Sequence, residues 1–336
     1  MDFKIGIIGG TGLEDPKIFT NAREYKVNTP FGSPSDALIE GKVGDTTCIL
    51  LSRHGRKHDI SPTNVNYRAN FWALMQQGAK VILSTAACGS LKEELTPCSF
   101  VFLDTFIDRL CQFLQELYCL KTESAAYYKV IDQRALFNHF SRVKQRISLE
   151  NCSRVKQRTS LETFKREITF HDGKDGHPKG VCHIPMHPAY NEKLRQVLIT
   201  SAQELKYKFF KTGTAVCIEG PRYSSRAESE VYRSWNADII NMTVCPEVYL
   251  AKELGIPLAT TAIVTDYDCW REGEKVSVDL VAQRMRESSD RAKTLFLTAI
   301  EKIGAMNWNN EIMEAKKTAR AGVMVDEHVV FDHLKY

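Results

Sequence analysis

Apolar, often β-branched residues recur along this chain in short runs, separated by longer stretches whose apolar positions return every three or four residues. The first kind reads as buried strands and the second as amphipathic helices. Phe3 to Gly9 is the first such strand. Ala37 to Val43 and Thr46 to Arg53 flank Gly44-Asp45, a turn pair that predicts a hairpin. A helix is expected from about Val65 to Gln77, entered through Pro62-Thr63-Asn64 and closed by Gly78. Strands follow over Lys80 to Ala86 and Phe100 to Phe106, then a helix over Asn191 to Lys206 and a strand over Thr212 to Glu219. Next come a short helix (Arg226 to Trp235), a strand (Asp238 to Met242), a helix closed by Gly255 (Pro246 to Leu254) and the strand Pro257 to Thr265. Ser277 caps a long amphipathic helix that runs to about Ile303. This rhythm implies an α/β fold, a three-layer sandwich around a twisted mixed sheet, with ligands bound at strand ends.

The stretch from Leu110 to Gln157 breaks the rhythm. Ser141 to Glu150 recurs almost unchanged as Ser153 to Glu162, with Thr159 in place of Ile147. A solenoid needs several longer stacked units to close a core. The repeat therefore reads as part of an insertion at about 110–157 within a single domain spanning 1–336, although an extended loop explains it as well. Its front half, Cys111 to Phe140, mixes aromatics with leucines and could form helices. The same stretch holds eight basic residues and four acids, which accounts for the whole formal charge of +4 on 336 residues. A neutral remainder argues against a nucleic-acid-binding face.

With 43% hydrophobic and 26% charged residues the chain has the composition of a globular protein. No apolar run approaches the ~20 residues needed to cross a bilayer, and no signal-peptide pattern opens the chain, so no membrane partner is expected. The ten cysteines lack paired metal-type spacings, which predicts reduced thiols in the cytoplasm, with the nucleus also open to such a protein. The sequons Asn151-Cys152-Ser153 and Asn241-Met242-Thr243 would then stay unmodified.

Four segments carry candidate chemistry. Gly9-Gly10-Thr11-Gly12 follows a strand, and its small residues let backbone N–H groups and a hydroxyl approach a phosphate; a plain tight turn explains it too. Arg53-His54-Gly55 ends another strand, where a guanidinium fork and a neighbouring imidazole could donate to an anion or merely form a solvated pair. His54 and His58 make a poor metal pair, since Gly55 interrupts a helix and no third ligand stands out. Thr85-Ala86-Ala87-Cys88-Gly89-Ser90 ends a strand in small residues, as an anion-binding turn or a close packing contact. Cys88 has no basic neighbour in sequence and fits a small hydrophobe better than a nucleophile. Asp266 and Asp268 emerge from the run Pro257 to Val264 and could hold a metal, cap a turn, or address a purine. No further ligand clusters nearby, so no metal is expected.

Together, Ile5 to Gly12, Thr29-Pro30-Phe31-Gly32, Arg53 to His58, Ala87-Cys88-Gly89-Ser90, Ile218-Glu219-Gly220-Pro221-Arg222, Asn241-Met242-Thr243 and Thr265 to Trp270 resemble the trimeric purine nucleoside phosphorylases. The resemblance covers nearly the whole chain outside Leu110 to about Lys165. It implies a phosphate site of Thr11, Arg53, His54, Ala86, Ala87 and Thr243, with Met242 against the ribose and His58 near ribose or phosphate. It also implies base recognition by Asp266, Asp268 and Ser224, the last standing where oxopurine-specific relatives carry glutamate. Asp266 stands where those relatives carry asparagine, which favours a 6-aminopurine. Val278 and Val281 match an apolar wall around a 5′-methylthio group, with His183 and Met324 supplied by a neighbouring subunit of a homotrimer. Ala86 departs from the threonine common in close relatives. The insertion separates Phe106 to Arg109 from Arg158-Thr159 and Arg166 to Gly173, which match two halves of one family loop.

The implied reaction is phosphorolysis of S-methyl-5′-thioadenosine to adenine and 5-methylthioribose 1-phosphate, with adenosine a secondary substrate. Asp266 is the expected proton donor to the base, phosphate is a co-substrate, and no cofactor is required. A phosphate-independent nucleosidase and a non-catalytic nucleoside-binding protein are the alternatives.

Overall fold

In this computed structural model the described residues are 3–10, 18–110, 166–273 and 275–325. Contacts divide the chain into one compact unit, Met1–Arg109 with Arg166–Tyr336, and a second, Leu110–Lys165, nearly all of which lies outside the described residues. Thr11, the duplicated segment and Cys111 to Phe140 therefore have no structural description.

The sheet is built around a long strand. β1 (Lys4–Gly9) lies parallel to β4 (Thr46–Ser52) on one side and to β5 (Ala79–Ser90) on the other. An edge of β2 (Thr20–Tyr25) and β3 (Leu38–Val43) pairs antiparallel onto β4, and the expected hairpin turn at Gly44-Asp45 has Gly44 at φ +57. Beyond β5 the sheet branches. β12 (Leu258–Asp266) runs parallel to β5, and β6 (Phe100–Phe102) and β9 (Phe209–Phe210) continue outward from it. The end of β5 meanwhile pairs antiparallel with β11 (Ile239–Asn241), followed by β10 (Thr214–Cys217) and β7 (Thr105–Asp108). A separate two-stranded ribbon joins β8 (Val181–Cys182) to β13 (Val323–Met324).

Period-two alternation decides which helix covers which face. Ile5 and Ile7 of β1 pack into a core with Leu194 and Leu198 of α2 (Glu192–Glu204) and Leu295 and Ile300 of α5 (Val278–Gly304). Gly6 points the other way, where a Cβ would stand 3.5 Å from Leu74 of α1 (Tyr67–Gln76). Against α1 packs α4 (Val244–Glu253). Helices on both faces of a mixed sheet make the three-layer α/β sandwich. The caps are local and legible: Asn66, Asn191 and Ser277 each accept a backbone N–H at the start of α1, α2 and α5. Ser225 and Glu228 form a capping box on α3 (Arg226–Ser234).

Two expectations need correction, and one helix was not foreseen. Thr85 to Ser90 is not a turn but the second half of β5, held by β12 and β11. Phe100 to Phe106 is not one strand: after β6 the chain crosses at Leu103-Asp104 to join β10, pinned where Asp104 Oδ1 accepts from the Gly213 N–H at 2.8 Å. α6 (Asn309–Gly322) gave no sequence signal because Ala319 is its one buried residue.

Candidate active site

A cavity of about 190 Å³ is lined by the second half of β5 and by residues at or just beyond the carboxyl ends of β1, β4, β10, β11 and β12. Ligands in open α/β sheets bind at such strand ends.

Arg53 follows β4 and is 1% exposed. Its Nε and Nη2 donate to the two oxygens of Glu247 at 2.5 and 3.0 Å, and Nη1 donates to the Thr85 carbonyl at 2.8 Å. Glu247 lies in the first turn of α4 and is itself 2% exposed, so a buried bidentate pair fixes the plane of the fork. Gly10 makes room for it: a Cβ there would stand 2.8 Å from Arg53 Nη1 and 3.2 Å from the Thr85 oxygen.

His54 lines the cavity beside it. Its Nδ1 lies 2.8 Å from the Ile60 carbonyl, which only accepts, so Nδ1 carries the proton. Burial, then the Arg53 charge, push its pKa down to about 4. The ring of His58 lies 4.6 Å from that of His54, and His58 holds φ +54.

After β11, Asn241 Oδ1 accepts from the N–H groups of Thr243 and Val244, both at 3.2 Å, an Asx turn that shapes the Met242-Thr243 corner. Asn241 Nδ2 donates to the Thr243 hydroxyl at 3.2 Å, leaving that hydroxyl's own proton to point elsewhere. Behind the corner, Arg166 donates to the carbonyls of Met242, Cys245 and Glu219. Gly220, at φ +71, leaves space that a Cβ would take from the Met242 sulfur, 2.5 Å away.

Asp266 ends β12 and is 3% exposed. Its Oδ1 accepts from the Asp268 N–H at 2.8 Å, and Thr265 Oγ1 lies 2.7 Å from its Oδ2. A Cβ on Gly89 would stand 2.9 Å from Asp266 Oδ1, so β5 must present glycine here. Asp268, at φ +50, is also buried, which raises its pKa. Among the described residues, none of Asp268 Oδ2, Ser224 Oγ and Ser229 Oγ completes a hydrogen bond. Trp270 anchors the following turn by donating to the Ser90 carbonyl at 2.7 Å.

The cavity thus gathers Arg53, His54, His58, Ala87, Ser224, Met242, Thr243, Asp266, Asp268 and Val281 from the expected residues. Ala86 lies beneath it in the strand, 2% exposed. Val278 does not line it, nor do His183 and Met324, which sit at the β8–β13 ribbon, where the His183 N–H donates to the Gly322 carbonyl at 2.7 Å. Thr11 lies outside the described residues. Cys88 is unsuited to attack, since burial and then the charge of Asp266 raise its thiol pKa. Sequence reasoning passed over Tyr223, Ile218 and Ile240, which line the cavity, and over Glu247 and Arg166, which stand behind it. The acid next to Pro246, at the head of an otherwise apolar stretch, was the available signal for Glu247; Arg166 was marked only as the start of the matched loop Arg166 to Gly173.

Residues 4–301 match the family model of the phosphorylase superfamily. The chain belongs to the phosphorylase superfamily. S-methyl-5′-thioadenosine phosphorylase of Caenorhabditis briggsae is 44% identical over 332 residues, 99% of this chain and 98% of that one. The Xenopus tropicalis protein of the same name is also 44% identical, over 97% of this chain and 98% of its own. Methylthioadenosine phosphorylase from Schistosoma mansoni, solved with adenine, matches with a TM-score of 0.78 at 36% identity, covering 96% of this chain and 99% of that chain. A mutant adenosine/methylthioadenosine phosphorylase of that organism, solved with methylthioadenosine, matches at 0.77 with the same identity and coverage. In this superfamily member no described helix is long and apolar enough to cross a membrane.

Proposed function

We propose that this chain is a pentosyltransferase that cleaves S-methyl-5′-thioadenosine with inorganic phosphate, yielding adenine and 5-methylthioribose 1-phosphate. One observation carries the reading: a single cavity joins the donors Arg53 and Thr243 to two buried acids, Asp266 and Asp268. The names of the full-length relatives support it.

Phosphate, held by Thr11, Arg53, His54, Ala86, Ala87 and Thr243, attacks the anomeric carbon as the bond to N9 breaks and the sugar gains oxocarbenium character. Met242 packs against the ribose, with His58 close by. Asp266 gives a proton to N7, so adenine leaves neutral. Thr265 suits it to this task. Its hydroxyl has one proton and two oxygens in reach, the Cys88 carbonyl at 3.1 Å and Asp266 Oδ2 at 2.7 Å. With that proton on the carbonyl, Thr265 accepts from a protonated Asp266; turned to Oδ2, the same proton serves the carboxylate left after the transfer. Asp268 and Ser224 read the exocyclic amine. The clamp supplies orientation and electrostatic stabilisation, and the reaction needs neither metal nor cofactor.

Val278 and Val281 form the wall for the methylthio group, completed by His183 and Met324 of a neighbouring subunit in a homotrimer. The seven described cysteines are free thiols, in keeping with the cytoplasm. An apolar 5′ pocket rejects an added hydroxyl by only ~10², so adenosine is a slower substrate. Rates on methylthioadenosine, adenosine and inosine test the assignment: the expected order is the one just written, and a preference for inosine would overturn the aminopurine reading.

A further inference from the structure

We propose that Arg166 is a positioning residue for phosphorolysis: one buried guanidinium ties the Glu219-Gly220 turn to the Met242-Thr243 corner, so that nucleoside and phosphate are held in register. This inference rests on the phosphorolysis reading and adds to it a residue outside the cavity lining.

Two observations carry it. First, Arg166 is 4% exposed, and its fork gathers acceptors from four separate segments. Just beyond β10, Nε donates to Glu219 Oε1 at 3.1 Å and Nη2 to the Glu219 carbonyl at 2.6 Å. Nη1 donates to the Met242 carbonyl beyond β11 and to the Cys245 carbonyl at the head of α4, at 2.5 and 2.9 Å, with the Tyr67 hydroxyl of α1 at 3.3 Å. A guanidinium is planar and rigid, so acceptors gathered on it do not shift independently.

Second, what it holds shapes both halves of the cavity. Ile218 and Tyr223 flank the Glu219-Gly220 turn and line the cavity, as do Met242 and Thr243. Cys245 stands two residues before Glu247, whose carboxylate fixes Arg53. The Met242 carbonyl finds no partner in α4 at the usual spacing, because the residue four positions on is Pro246, which has no N–H. Deprived of Arg166, that buried carbonyl must turn toward water, and the cavity that Met242 lines is a route to it. Such a turn rotates the Met242–Thr243 peptide and displaces both side chains together. Asp266 hangs on a different element, the end of β12, where Thr265 and Asp268 bond to it. Binding of both substrates therefore depends on Arg166 more than the acid step does.

The test is steady-state phosphorolysis by Arg166→Lys, with Arg195→Lys as control and the Tm of each recorded. Lysine keeps the charge but does not span three carbonyls. Arg195 is equally buried and donates to the carbonyls of Phe102 and Lys211, neither of which lines the cavity. Assayed well below its Tm, Arg166→Lys should raise the KM for methylthioadenosine and the KM for phosphate at least about tenfold each, with kcat within about threefold of wild type. Arg195→Lys should lower Tm and leave both KM values alone. If Arg166→Lys changes neither KM, or only one, the proposal is overturned, whatever happens to Tm. If that variant does not fold, Glu219→Ala decides: it removes only the partly exposed anchor of Nε and should raise both KM values about threefold. No rise in either would overturn the proposal. Failure here leaves phosphate dependence intact, whereas adenine release without phosphate would sink the phosphorolysis reading itself.

Discussion

At the scale of single residues, the site depends on positions where one atom more or fewer changes the chemistry. Asp266→Asn keeps the shape of the side chain and its acceptor toward the Asp268 N–H, but has no acid to give to N7. Acid catalysis typically contributes ~10² to 10⁴-fold, and we expect kcat to fall by about that factor while the phosphate KM moves little. Full turnover in steady-state assays of this variant would remove Asp266 from the role. Gly10→Ala acts on the other substrate. Its Cβ, 2.8 Å from Arg53 Nη1 and 3.2 Å from the Thr85 carbonyl, must push the guanidinium out of the plane set by Glu247. The phosphate KM should rise at least about tenfold, and a KM equal to that of wild type would contradict the placement of Arg53. Asp266, Asp268 and Arg53 were legible because each ends a run of β-branched or apolar residues. Glu247 and Arg166 were not: their partners lie 194 and 79 residues away, as Arg53 and Cys245, and only the folded chain brings them together.

Among the elements, α4 links the site to the segment beyond the insertion. Glu253, its last residue, accepts from the Phe170 N–H at 2.8 Å, and burial pushes its pKa from 4.5 up to about 7. Between those values the folded state keeps a proton that the unfolded chain has released, so its contribution to stability falls as pH rises from 4.5 through 7. Glu253→Gln keeps an acceptor and cannot ionise. Its Tm should therefore gain on wild type at pH 8 relative to pH 5, and a difference equal at both would contradict a buried titrating acid. Elements with a buried stripe or a cap, such as α5 and α2, were predicted within a few residues. β2 escaped because it is an edge strand with five of its six residues exposed. β6 and β7 read as one run because nothing in Phe100 to Phe106 marks a crossover; the decision belongs to the strands on either side, β12 and β10.

For the whole molecule, the alternation of strands and helices was enough to predict the three-layer arrangement, while the branching at β5 depends on long-range pairing that no local pattern encodes. The insertion, with its duplicated segment and all of the net charge, lies outside the described residues. Met324 is 67% exposed and Val278 71%, and neither lines the cavity that holds Val281. A shared site explains this arrangement in the proposed homotrimer. Co-assembling Asp266→Asn chains with Met324→Arg chains should restore part of the activity that each lacks alone, since mixed trimers contain sites with a wild-type acid facing a wild-type neighbour. No recovery from co-assembled chains would argue for sites complete within one subunit.

The most direct test of the central claim is adenine release from methylthioadenosine as phosphate is removed and returned. We predict that release stops without phosphate, resumes with it, and yields one 5-methylthioribose 1-phosphate for each adenine. Release that continues unchanged in its absence, with free 5-methylthioribose as the sugar product, would contradict the account.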